Sequence, residues 1–129
     1  MEESTRLIKG YSKMITFSIL IKKDSYVYEI CKLIEKTTNG IIIISNPSLL
    51  AILKACLENR EVTTYKEINN RGVERIYYKI TKLGIDYFLK HQEYFINSLK
   101  AMSSIIEGDF KIYDKWRKNY WRVVSKKST

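Results

Sequence analysis

The sequence predicts a mainly α (α+β) fold, in which a β-hairpin lies between three shorter helices and one long helix. Apolar residues recur at three- and four-residue spacing over residues 5–22, as on one face of a helix. Two segments typical of β-strands, 62–68 and 73–80, flank the turn sequence Asn-Asn-Arg-Gly at 69–72. A second run of helical spacing continues from residue 85 to residue 106.

The composition describes a chain that can fold and that attracts acidic partners. Its 129 residues are 45% hydrophobic and 29% charged, enough to bury the core of one domain. The formal net charge of +9 points to nucleic acid first and to an anionic membrane surface second. No apolar stretch approaches the roughly 18–20 residues of a membrane span, and the acidic N-terminus lacks a signal-peptide pattern. We therefore expect a cytoplasmic protein with reduced cysteines.

The segment after the first helix contains a second helix and a short strand. Asp24 or Ser25 is the expected N-cap of the second helix, because their side chains accept hydrogen bonds from a first turn. Asn39 and Gly40 end this helix, since both residues tolerate a left-handed backbone. The four β-branched residues at 41–44 predict a short buried strand.

A third helix and the hairpin follow. Asn46 is the expected N-cap of this helix, which spans 48–58, and Pro47 fits its first turn. In the second hairpin strand, side chains alternate between two faces. One face is mainly apolar and the other is aromatic and basic, with Ile76, Tyr78 and Ile80 opposed to Arg75, Tyr77 and Lys79.

The long helix carries a stripe suited to association. Thr81 is its expected N-cap and Gly108 its expected stop, so its length is about 40 Å. Its apolar residues alternate at gaps of three and four, which is coiled-coil spacing, and Gln92 would fix the register. The predicted dimer interface consists of Ile85, Phe88, Gln92, Phe95, Leu99, Met102 and Ile106. The tail at 110–124, aromatic and basic, predicts a short amphipathic helix.

The order of these elements is that of a winged helix-turn-helix domain, residues 1–81, followed by a dimerisation helix and basic tail, residues 82–129. In this arrangement the third helix can enter the major groove of DNA, and a basic hairpin can reach the phosphates beside it. Two copies joined through the long helix would contact half-sites roughly 34 Å apart.

Four short motifs occur in order along the chain. Residues 7–10 are Leu-Ile-Lys-Gly, and residues 24–30 are Asp-Ser-Tyr-Val-Tyr-Glu-Ile. Residues 48–54 are Ser-Leu-Leu-Ala-Ile-Leu-Lys, and residues 77–84 are Tyr-Tyr-Lys-Ile-Thr-Lys-Leu-Gly. At these positions and in this order, the chain resembles the PadR family of bacterial transcriptional regulators, over residues 6–107.

The resemblance implies a cytoplasmic bacterial homodimer that represses genes from an operator in double-stranded DNA. Members of the family often respond to small aromatic or drug-like effectors bound at the dimer interface. Trp116 and Trp121 in the tail are the candidate lining residues of such a pocket in this chain. No cofactor is expected.

The candidate DNA contacts lie on the second helix, the third helix and the wing. Arg75 and Lys79 share a strand face and would bind phosphates, with an ordinary solvated face as the alternative. Tyrosine hydroxyls can also bind phosphates, although tyrosines at these spacings also serve as packing residues. The full set is Ser45, Ser48, Lys54, Tyr28, Tyr65, Arg71, Arg75 and Lys79.

Catalysis and metal binding are not expected. His91 is the single histidine, and no partner motif for nucleophilic catalysis lies near it. Cys31 and Cys56 do not have metal-ligand spacing and fall on the inner faces of helices, where they act as small buried apolar residues.

Two other functions remain open. The third helix offers few polar side chains, because Leu50 and Ala51 stand where the family has tyrosine and proline, so the helix could contact a protein instead of DNA. The basic amphipathic tail could alternatively lie on a membrane surface.

Overall fold

The computed structural model describes the backbone of residues 2–108 and the side chains of residues 11–108. Its elements are the helices α1 (Glu2–Lys22), α2 (Val27–Thr37), α3 (Asn46–Glu58) and α4 (Lys82–Ile106), and the strands β1 (Val62–Ile68) and β2 (Glu74–Ile80). This confirms the predicted fold class, a mainly helical winged helix with a small antiparallel sheet. The predicted tail helix, with Trp116 and Trp121, lies outside the described residues.

The chain divides into two compact units, Met1–Gln92 and Glu93–Thr129. The core of the first unit takes apolar side chains from α1, α2, α3 and the hairpin, and its largest fully buried members include Phe17, Leu20, Ile30, Leu49, Leu53 and Val62. On α3 the buried residues Leu49, Leu53 and Cys56 follow helical spacing, so the opposite side of this helix faces solvent.

The hairpin has the predicted strands and turn. Its two strands pair antiparallel, from Val62 opposite Ile80 to Ile68 opposite Glu74. The Asn69 side-chain oxygen accepts hydrogen bonds from the backbone N–H groups of Arg71 and Val73, at 2.9 and 3.0 Å. These Asx-turn hydrogen bonds, together with Gly72 at a φ of +76°, reverse the chain within the turn and so fix the register of the two strands.

The strand predicted at 41–44 is wrong. The Thr38 hydroxyl oxygen accepts the Ile42 N–H at 3.0 Å, so this segment turns at the end of α2 instead of extending. The free edge of β2 pairs instead with Ser25, through two backbone hydrogen bonds to Tyr78 of 3.2 and 2.9 Å. The β-branched residues at 41–44 predicted an extended segment. The sequence did not show that Ser25 would pair with the free edge of β2 in its place.

Two predicted helix caps are also wrong by one or two residues. Tyr26 is the N-cap residue of α2 and makes no side-chain capping bond. The predicted cap residues have other partners: Asp24 accepts a hydrogen bond from Tyr65, and Ser25 donates one to the Lys23 carbonyl. For α3 the N-cap is Ser45 and not Asn46; its hydroxyl oxygen accepts the Ser48 N–H at 3.3 Å.

The predicted start of α4 at Thr81 is confirmed by its cap. The Thr81 hydroxyl oxygen accepts the Gly84 N–H at 3.2 Å, and the Thr81 N–H donates to the Glu61 carbonyl at 3.0 Å. A Cβ at position 84 would collide with the Glu61 carbonyl oxygen and the Ile80 side chain. Glycine therefore lets the first turn of α4 lie directly on the connection between α3 and β1.

A buried ion pair joins α1 to the same connection. The Lys13 ammonium lies 2.8 Å from Glu61 Oε1, and the Glu61 side chain is only 7% exposed. The same ammonium lies over the ring of Tyr87 on α4, 3.8 Å from its centroid. Lys13 thus links α1 both to the connection between α3 and β1 and to α4.

Candidate DNA-binding surface

The exposed side of α3 is mostly apolar. Leu50 is 47% exposed, and Ala51 and Lys54 are exposed beside it. Among the described residues, Lys54 forms no ion pair. At the N-terminus of the helix, the Ser45 hydroxyl donates to the Ser48 hydroxyl at 2.9 Å. The predicted contacts Ser45, Ser48 and Lys54 therefore all belong to one helix and its cap.

A small depression of about 190 Å³ joins the N-terminus of α3 to α2. Its polar lining comes from Tyr28, Lys32, Ser45 and Asn46, with Glu35 as the one acidic side chain. Tyr28 is 57% exposed. A hydroxyl, an ammonium and an amide can each donate to a phosphate oxygen. The sequence alone does not indicate Lys32 and Asn46 as candidate contacts, because only the fold brings α2 beside this cap.

The outer face of the hairpin carries a row of three tyrosines. Tyr65 and Tyr77 are opposite each other in the register and stack with ring centroids 5.5 Å apart, and Tyr26 meets Tyr77 edge-on at 5.4 Å. The Arg75 guanidinium lies over the Tyr26 ring, 4.3 Å from its centroid. Because Tyr26 is the N-cap residue of α2, these ring contacts pack the hairpin against the start of α2.

The Tyr65 hydroxyl is already engaged. It donates to Asp24 Oδ2 at 2.8 Å, and this hydrogen bond raises the pKa of Tyr65 to about 12. A phenol has one proton to donate and phosphate oxygens only accept, so Tyr65 can donate to a phosphate only if the bond to Asp24 breaks.

Two predicted wing cations are available. Arg71 in the turn and Lys79 near the base of β2 are exposed and form no ion pair among the described residues. Lys66 differs, because its ammonium lies 3.3 Å from the Glu74 carboxylate. Arg71 and Lys79 are the better candidates for phosphate contact.

The predicted dimer stripe on α4 divides into two parts. Ile85 and Phe88 pack against the core of the first unit, together with Tyr87. In the second unit Phe95 is half-buried, whereas Leu99, Met102 and Ile106 are 49%, 43% and 83% exposed. Gln92 is also exposed. Further exposed apolar residues, Tyr94, Ile96 and Ile105, flank the stripe outside the predicted heptad positions.

These features define a winged-helix DNA-binding protein. A family model for PadR-like transcriptional regulators matches residues 17–90, and the chain belongs to this family. Its members are transcriptional regulators that bind DNA, not enzymes.

Individual proteins are similar to this chain over more than half of its length. A protein of Lysinibacillus sphaericus is 35% identical over 83 residues, which cover 63% of this chain and 74% of the relative. A transcriptional regulator from Clostridium thermocellum is 30% identical, with a TM-score of 0.68 over 77% of this chain and 96% of that one.

A PadR family transcription regulator from Clostridium difficile has a TM-score of 0.63 at 24% identity, over 74% of this chain and 98% of that one, which shows the fold alone. Along residues 2–108 we find no helix with the length and apolar character that a bilayer crossing requires. Among the described side chains, those of residues 11–108, no group of His, Cys, Asp and Glu could hold a metal ion.

Proposed function

We propose that this chain is a homodimeric, sequence-specific repressor that binds an operator in double-stranded DNA within the cytoplasm. The third helix and its cap would enter the major groove, and the wing would contact the phosphates beside it. Residues 1–81 would form the DNA-binding domain and residues 82–129 the dimerisation helix and tail.

The observation that carries the proposal is the set of unpaired cations on α3 and the hairpin. Lys54, Arg71 and Lys79 are exposed, and no carboxylate neutralises them among the described residues. Phosphate neutralisation by such side chains supplies much of the affinity of DNA-binding proteins. Tyr28, Ser45 and Ser48 would position the helix, and Arg75 would hold the wing through Tyr26.

The test is fluorescence anisotropy with a duplex from the gene's own upstream region. Arg71→Glu with Lys79→Glu should weaken binding at least a hundredfold at moderate salt, because two attractive contacts become repulsive. Removing one contact with Lys79→Ala should reduce the slope of log K against log salt by about 0.9.

The matched control is Lys90→Glu with Lys100→Glu, which makes the same charge change at two exposed positions of α4. This variant should keep most of the affinity. If both double variants bind equally, net charge and not the wing determines the affinity, and the proposed surface is wrong.

The effector proposal rests on the tail. Trp116 and Trp121 would line a pocket for a small aromatic effector, as the resemblance to the family implies. Quenching of tryptophan fluorescence by aromatic carboxylates, lost in Trp116→Ala, would support such a pocket; unchanged quenching would refute it.

A protein-interaction module is the second candidate, favoured by one observation. Leu50 and Leu57 on α3 are 47% and 37% exposed, which is unusual for a helix that reads base edges by hydrogen bonds. Leu50→Ser should leave operator affinity within a few-fold if α3 binds DNA. If the wild-type chain binds no duplex from the upstream region, the protein-interaction module is favoured.

A further inference from the structure

An open groove of about 780 Å³ lies in the first unit. It shares Tyr28 and Lys32 with the depression at the N-terminus of α3, and none of its lining residues belongs to α3 itself. It is lined by the C-terminal half of α1, by α2 and by the segments that follow them. Its aliphatic floor consists of Ile15, Ile19, Leu33, Ile34 and Ile42. Leu33 is 45% exposed and Ile42 is half-buried, so the floor is accessible from solvent.

Four lysines line the same groove and give it a cationic rim. They are Lys22, Lys23, Lys32 and Lys36, against the single acidic residue Glu29. The Glu29 carboxylate pairs with Lys23, whose ammonium lies 3.6 Å from Oε2, while Glu29 Oε1 is buried and has no hydrogen-bond partner among the described residues. Lys22 and Lys36 form no ion pair with any residue that the structure describes. The rim therefore keeps uncompensated positive charge beside an apolar floor.

We propose that this groove binds a small amphiphilic carboxylate, with its alkyl chain on the isoleucine and leucine floor and its carboxylate on the rim ammonium groups. A volume of this size, a mostly apolar lining and a few convergent charges are typical of small-molecule sites. DNA cannot occupy the floor, because it has no alkyl chain to bury. The charge of the rim selects an anion among amphiphiles.

Isothermal titration calorimetry with sodium decanoate, below its micelle concentration, tests the proposal. Decanoate should bind with one molecule per chain, and decyltrimethylammonium should bind at least tenfold more weakly. Affinity should rise from octanoate to decanoate by up to about fourfold per methylene buried. Absence of saturable binding, or equal binding of the anion and the cation, would overturn the proposal.

Variants locate the site. Leu33→Asp places a carboxylate in the floor, and Lys22→Glu with Lys36→Glu reverses the free charges of the rim. All three positions are exposed, so folding should persist, and each variant should weaken decanoate binding at least tenfold. Lys90→Glu with Lys100→Glu makes the same charge change as the lysine pair at two exposed positions of α4 that do not line the groove, and should bind decanoate as the wild type does.

Two other occupants give different results. If the groove is covered by a second copy, Leu33→Asp should convert the dimer to a monomer in light scattering while the wild-type chain binds no decanoate. If it lies on a membrane, the lysine variant should lose binding to phosphatidylglycerol vesicles, again without decanoate binding. Either result overturns the proposal, and neither depends on whether the chain binds DNA.

Discussion

The two halves of α4 continue one pattern of spacing and have different surroundings. In the first half, up to Gln92, Ile85 and Phe88 pack against the core of the first unit. In the second half, Leu99, Met102 and Ile106 follow the same gaps of three and four and remain exposed. Periodicity thus shows which side of a helix is apolar, but it does not show whether that side meets its own domain or another chain.

Whether each half of α4 packs on its own domain depends on residues outside the helix, which the apolar spacing within the helix does not show. The first half lies against Glu61 because Gly84 allows the approach, and Tyr87 is held by the Lys13 ammonium. In the second half, the described residues offer large exposed apolar side chains. Patches of this kind on soluble chains mark interaction surfaces. We therefore expect mutations in the two halves to change different observables.

The largest effect is expected in the second half. Phe95→Asp with Leu99→Asp would place carboxylates in the proposed dimer seam, and burial of unpaired charge should raise the dimer dissociation constant more than a thousandfold, about 4 kcal/mol. Sedimentation equilibrium measures the constant. Asn97→Asp with Ser104→Asp, on the polar side of the helix, is the control. A dimer that survives the first pair excludes this stripe as the interface.

In the first half, Lys13→Met should destabilise the fold instead. It leaves the Glu61 carboxylate buried without its cation and removes the charge over Tyr87, so the free energy of unfolding should fall by about 3 kcal/mol. Urea unfolding monitored by circular dichroism measures this loss. Lys90→Met removes the same charge from an exposed position of α4 and should change stability by less than about 0.5 kcal/mol. Equal losses would mean that the ion pair contributes nothing specific.

Gly84→Ala should destabilise the protein, although alanine usually stabilises a helix relative to glycine. Alanine in an exposed helix interior stabilises by about 1 kcal/mol relative to glycine. At position 84 the added Cβ meets the Glu61 carbonyl oxygen and the Ile80 side chain, so the variant should instead lose about 2 kcal/mol. Thermal unfolding of this variant and of Asn97→Ala, an exposed site on the same helix, gives the comparison. A gain in stability at both sites would show that α4 does not lie closely on this connection.

Much of the fold follows from local chemistry that the sequence displays. Thr81 caps α4 because its hydroxyl reaches the Gly84 N–H, and Asn69 closes the hairpin with its own side chain, so both boundaries could be predicted. The strand at 41–44 could not be excluded, because its competitor, Ser25, is distant in sequence and carries no β signal of its own. The predicted cap of α2 is wrong because Asp24 accepts a hydrogen bond from Tyr65, which is distant in sequence.

In the candidate site, too, some features follow from the sequence and others require the folded chain. Arg71 and Lys79 form no ion pair among the described residues, as expected for cations on an exposed hairpin. The engagement of Tyr65 and Arg75 with Asp24 and Tyr26 requires the folded chain, because it joins the hairpin to the start of α2. Sequence alone therefore predicts which residue types lie on the wing, and the structure shows which of them already have a partner within the chain.

The smallest effect is expected where the two halves of α4 meet. Gln92 is exposed and interrupts the apolar stripe, and single polar residues at such positions fix register at a cost in stability. Gln92→Leu should therefore tighten the dimer about fivefold, roughly 1 kcal/mol, and should admit higher oligomers in light scattering, because the register constraint is lost. Lys90→Leu adds the same side chain about 200° around the helix and should leave the dissociation constant unchanged. If Gln92→Leu weakens the dimer, the glutamine makes a specific contact across the interface and the seam begins before Phe95.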